Sequence, residues 1–200
     1  MNQETDSNSL KIPLRLVDAS AGSGPFTKLA VVFYAKRNQG PALASGGLTF
    51  WLTIQNGASV PLKVQSPLET MQISLLDGKG WPVRLPQGSP PRSEINVKGH
   101  FQVVLPFQVF ELKDTASGKD LRSLADDLHW TLPPQDTLRI GIRIDRIVPG
   151  RDPEPRTNPV PIPEDAYKLK LVVLMISASS EPAHRVFNLD YVDLRLGEQR

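Results

Sequence analysis

Reactive side chains are few in this chain, and none fall into a spacing that catalysis or metal binding requires. The three histidines, His100, His129 and His184, lie far apart, outside any HExxH pattern and without an i, i+4 partner. His129 has Asp126 and Asp127 close by, an acid–base fragment that reads as a solvated segment end, because metal and acid–base sites need several convergent groups. No G-x-S-x-G, P-loop or G-x-G-x-x-G occurs, and Gly22-Ser23-Gly24 is too short to cradle a phosphate. Glu154, Glu164 and Asp165 lack the spacing of a calcium loop. A glycosidase-type carboxylate pair meets in space and not in sequence, so a hydrolase with an unrecognised carboxylate site stays open as an alternative. The absence of cysteine excludes disulfides, a cysteine nucleophile, thiolate zinc and Fe–S clusters. The sequence names no catalytic residue, no metal ligand and no cofactor.

Residues suited to binding are easier to find. Trp51 projects opposite to Phe50, Leu52 and Ile54, Trp81 follows a turn, and Trp130 lies just past a helical segment. Exposed tryptophans on a sheet stack on sugars or on a partner chain, whereas tryptophan in general is highly buried and covered by a loop or helix. Arg139 and Arg143 share the polar face of one strand, and Lys168 and Lys170 share that of the next. If those strands pair as a long hairpin, all four cations lie on one face, a surface for an anion or an acidic partner. The alternative is a solvated face neutralised by Asp145, Glu164 or Asp190. A net charge of +2 from 23 basic and 21 acidic residues does not predict nucleic-acid binding.

These residues must be positioned by strands. Leu48, Phe50, Leu52 and Ile54 alternate with Thr49, Trp51 and Thr53, and Leu138, Ile140, Ile142 and Ile144 alternate with Arg139, Gly141 and Arg143. Alternate residues of a strand point to opposite faces, so each segment has one apolar face. The same pattern predicts strands at about 10–17, 28–35, 59–65, 70–76, 81–85, 94–112 with a break at Pro106, 137–148, 167–177 and 185–195. Asn56-Gly57 and Asp77-Gly78-Lys79-Gly80 are turn signals, and Pro82 marks 81–85 as an edge. Leu121, Leu124, Ala125 and Leu128 recur at i, i+3, i+4 and i+7, which predicts a short helix over 118–129. The proline-rich stretch 149–163 reads as an extended arm and residues 1–9 as a flexible lead-in.

Roughly ten short strands at even spacing, with no internal repeat or composition break, predict one antiparallel β-sandwich domain over 10–200. The segment MNQETDSNSL has neither the basic nor the apolar region of a signal peptide, which fits a cytoplasmic protein or an exported one whose signal has been removed. The longest purely apolar run, Leu171 to Ile176, is too short to span a bilayer, so no transmembrane segment is expected.

Three stretches resemble a recurring bacterial immunoglobulin-like pattern. LTFWLTIQNGASVPLKV and TMQISLLDGKGWPVRLP carry a strand ending in Asn before a small residue, then a strand with an early proline, then an apolar strand ending in Asp-Gly before an aromatic. PEDAYKLKLVV resembles the Pro-x-x-Tyr opening of a late strand in such sandwiches. The bacterial intracellular proteinase-inhibitor family shows this order of features. The resemblance covers about 48–112 and 163–177, rests on turn and packing signals, and carries no functional residues across. It implies an immunoglobulin-like sandwich and, as its specific form, an inhibitor-like role. The helical segment and the proline arm depart from that family's pattern. The expected function is a non-catalytic interaction module with a protein partner. A carbohydrate-binding module using Trp51, Trp81 and Trp130 is the second reading.

Overall fold

The computed structural model describes residues 15–16, 18–19, 24–35, 48–80, 83, 94–97, 100–103, 107–144, 146–147, 160–161, 166–179 and 183–195. The strands are β1 (Arg15–Leu16), β2 (Asp18–Ala19), β3 (Leu29–Ala35), β4 (Leu48–Asn56), β5 (Leu62–Gln65) and β6 (Met71–Leu76). They continue with β7 (Glu94–Val97), β8 (His100–Val103), β9 (Gln108–Asp114), β10 (His129–Leu132) and β11 (Asp136–Ile144). The last are β12 (Arg146–Ile147), β13 (Val160–Pro161), β14 (Ala166–Ile176) and β15 (His184–Arg195). The fold is all-β, and among the described residues every strand pair is antiparallel.

Two sheets carry the core. One runs β1-β3-β4-β11-β9 and the other β2-β15-β14-β6. Period-2 alternation dictates their inner faces. Phe33, Phe50, Leu52, Ile54, Ile140 and Ile142 from the first sheet join Ile73, Leu75, Leu169, Leu171, Val173 and Phe187 from the second in one cluster of buried side chains. The expected apolar faces of 48–54 and 138–144 are therefore the core faces. β1 bonds to the first sheet and β2 to the second, so the opening strand changes sheets within a few residues.

Several connections differ from the sequence expectation. Asn56-Gly57 does turn the chain, but β4 and β5 do not pair with each other. β4 pairs with β3 and β11, whereas β5 pairs with β10. The turn is an inter-sheet crossing held by Asn56, which is buried. Its side-chain amide donates to the carbonyls of Val60, Leu132 and Pro133 at 3.0–3.1 Å, and its oxygen accepts the Ala58 N–H at 3.0 Å. β5 and β6 both lie along β14, separated by a single helical turn, α1 (Pro67–Thr70). β6 pairs with β14 over Lys168–Val173, and β5 meets its far end through a bridge from Val64 to Ser177.

The helix expected over 118–129 is not formed. Only Arg122–Asp126 coil, as a 3-10 segment. Asp120 competes for the backbone by accepting the Arg122 N–H at 2.9 Å, and the indole N–H of Trp130 takes the Leu124 carbonyl at 2.8 Å. Leu121, Leu124 and Ala125 still pack on the core, as their spacing requires, while Leu128 is left 66% exposed.

The proposed hairpin between 137–148 and 167–177 is also absent. β11 lies between β4 and β9, while β14 lies in the other sheet between β15 and β6. The lead-in 1–9, Trp81 and most of the strand expected at 81–85 lie outside the described residues, as does most of the proline arm. Val83, from that strand, donates its N–H to the Leu75 carbonyl at 2.9 Å and is buried.

Candidate functional site

The outer face of the five-stranded sheet, away from the core, concentrates the side chains most suited to recognition. Thr49, Trp51 and Thr53 come from β4, Arg139 and Arg143 from β11, and Glu111 and Lys113 from β9. Gly141 is the register partner of Trp51 on one side and of Glu111 on the other. Beyond Glu111 the register slips, so that Phe110 and Glu111 both face the Gly141 position before Val109 pairs with Ile142. Such a bulge leaves one extra residue and re-aims a side chain. Here the Phe110 ring lies over Gly141, where a Cβ would stand only 2.7 Å from it.

Phe110 meets Trp51 edge-on, with ring centroids 5.6 Å apart and planes at 82°. The Trp51 indole N–H donates to Glu111 Oε2 at 3.1 Å, and the Arg139 guanidinium lies 5.4 Å from the Trp51 ring centroid. Glu111 Oε1 also pairs with Lys113 Nζ at 2.9 Å and with Arg139 Nε at 3.2 Å. Burial works against ionisation of Glu111. The hydrogen bonds from Lys113 and Trp51 and the charges of Arg139 and Lys113 outweigh it, and hold the carboxyl below its ordinary range.

These contacts favour covered tryptophans, the usual state of that residue, over exposed ones. Trp51 is 7% exposed because Phe110 and Arg139 cover it, and Trp130 is 1% exposed because its ring joins the core. Neither offers a free ring face to a sugar, and Trp81 lies outside the described residues. Among the described residues, Phe110 is a large aromatic left accessible, at 38%. Sequence alternation alone places Phe110 on the same face as Leu112. The signal that it does not stay there is Gly141, since a lone glycine in a strand marks a bulge or a close approach.

The four cations are not one constellation. Arg139 and Arg143 belong to the five-stranded sheet, and Lys168 and Lys170 to the four-stranded one. Lys168 has Asp193 directly opposite, and Lys170 Nζ lies 3.5 Å from Asp190 Oδ1. The neutralising partner Asp190 is one of those the sequence offers.

One carboxyl pair does meet in space. Asp136, at the start of β11, lies close enough to Asp114, at the end of β9, for the two carboxyls to influence each other's ionisation. Asp114 Oδ1 accepts the Ala116 and Ser117 N–H groups at 2.8 and 2.9 Å, which lowers its pKa. Burial and the neighbouring Asp114 charge raise that of Asp136. Both carboxyls are engaged in turns: Asp136 Oδ1 accepts the Thr137 N–H at 2.6 Å. His129 and His184 are exposed and separate. Among the described residues no three His, Asp or Glu side chains converge as a metal site, and no helix is long and apolar enough to cross a membrane.

The chain matches no protein-family model, and no curated protein matches its sequence.

Proposed function

We propose that this chain is a non-catalytic binding module that docks a protein partner on the β4–β11–β9 face of its five-stranded sheet. The observation that carries the reading is Phe110, a large aromatic left exposed beside Trp51, Arg139 and Lys113 on the sheet's terminal strand. Aromatic and arginine side chains dominate the energetics of protein interfaces, and rigid, pre-packed ones lose little entropy on binding. Residues 119–121 already bond to the edge of β9 at Leu112–Asp114, so strand addition, in which a partner engages main-chain donors and acceptors of a terminal strand, is confined to Gln108–Glu111. An inhibitor-like role is the specific version, and its support is the resemblance of 48–112 and 163–177 alone.

The test is affinity capture from the source lysate with wild type beside Phe110→Ala. Phe110 is exposed, so the variant keeps its fold, and loss of a specific protein partner supports the reading. Glycan-array binding without a protein partner moves the assignment to a carbohydrate module. The hydrolase alternative rests on the Asp114–Asp136 pair. Turnover on a substrate panel, abolished by Asp136→Asn, establishes it in place of the binding reading.

A further inference from the structure

We propose that two copies of this chain associate through the outer face of the four-stranded sheet, in a two-fold pairing that seats β14 of each copy on β15 of the other. The run Leu171 to Ile176 is apolar at every position. Leu171, Val173 and Met175 turn into the core, which leaves Val172, Leu174 and Ile176 half-buried on the opposite face. Val186, also half-buried, sits opposite Leu174 on β15. Sheets with one solvated face alternate apolar and polar residues, whereas continuous apolar strands belong to sheets covered on both sides. An apolar stripe rimmed by charge is the mark of an interaction surface.

The charges at the end of this stripe identify the occupant. Lys168 and Lys170 form a cationic column on β14, and Asp190 and Asp193 an anionic column on β15. Residues 190 and 193 are an odd number apart, so a regular strand would send them to opposite faces. The register slip opposite Lys170 prevents this. Leu169 pairs with Val192 and Leu171 with Leu189, so β15 holds Asp190 and Tyr191 against the single residue Lys170. Both aspartates are exposed, one opposite Lys168 and one beside Lys170.

A two-fold axis parallel to the strands and midway between β14 and β15 exchanges the two strands while each row keeps its height. Lys168 then faces Asp193 of the second copy, Lys170 faces Asp190, and Leu174 faces Val186. The charged rows and the Leu174–Val186 row are complementary to themselves, as an isologous interface requires, while Val172 meets Asn188 and Ile176 meets His184.

Sedimentation velocity over a concentration series tests this. Wild type should pass from monomer to dimer with rising concentration. Lys168→Asp and Asp193→Lys should each weaken association by roughly tenfold or more, because like charges then oppose twice across the axis. An equimolar mixture of the two variants should restore the dimer, since their substituted positions face each other with opposite charge. Leu174→Glu, folded by circular dichroism, should be monomeric throughout. A wild type that stays monomeric, variants that dimerise like wild type, or a mixture without rescue each overturn the proposal.

Discussion

Trp51 and Glu111 are 60 residues apart in sequence and joined by a 3.1 Å hydrogen bond that spans the strand between them. The bond forms because that strand presents Gly141 at the crossing, with no side chain to separate indole from carboxylate. The Phe110 ring fills the remaining space. One residue without a Cβ thus allows an aromatic pair, an ion-pair network and a bulge to share a single row.

Gly141→Ala should destabilise the protein by about 1–3 kcal/mol, the usual cost of overpacking a filled site. The added carbon would meet the Phe110 ring at 2.7 Å and Glu111 Cβ at 2.8 Å. The second contact is near the backbone and cannot rotate away. Urea unfolding of Gly141→Ala, and of Gly141→Ala with Phe110→Ala, checks this. The double variant should recover only the part due to the ring.

The pH dependence carries the signature of Glu111. Its folded pKa is depressed, so its stabilising contribution is complete above the ordinary glutamate value and is lost as pH falls through the lower folded value. Glu111→Gln should therefore be less stable than wild type at neutral pH, and the difference should close in acid. Thermal melts from pH 7 to about pH 3 measure it.

Asp136 has the opposite sign. A carboxyl whose folded pKa is raised favours the folded state most below its ordinary value, and the benefit declines as pH rises through the raised one. Asp136→Asn retains an acceptor for Thr137 and removes the charge close to Asp114. It should be more stable than wild type at neutral pH, with the gap vanishing in acid. A lower melting temperature at pH 7 would contradict this.

Asn56→Asp should cost about 3 kcal/mol or more, because the buried amide donates to three carbonyls and a carboxylate can donate to none. Asn56→Ala should cost a similar amount through the unpaired carbonyls. Guanidinium melts report both.

Ile140→Asp and Leu52→Asp should unfold the protein, since both positions are in the core. Arg139→Ala should lose only about 1 kcal/mol, from a partly exposed ion pair and its cation–π contact. Circular dichroism and thermal melts separate the two outcomes.

Local pattern alone determined the all-β class and the core face of the strands carrying Leu52, Ile140 and Leu171. Side-chain direction in a strand repeats every two residues whatever the strand pairs with. Pairing was not written there. Nothing local to 137–148 says that it lies between β4 and β9, away from β14, so the shared face proposed for Arg139, Arg143, Lys168 and Lys170 dissolved. The helical spacing of Leu121, Leu124 and Ala125 marked a core-facing segment correctly. Its coil type was settled by Asp120 and by the Trp130 indole, which took backbone groups the helix needed. The two bulges were beyond strand periodicity for the same reason. A register slip is set by the fit of neighbouring strands, and it moves Phe110 and Asp193 to faces that counting along the chain does not assign.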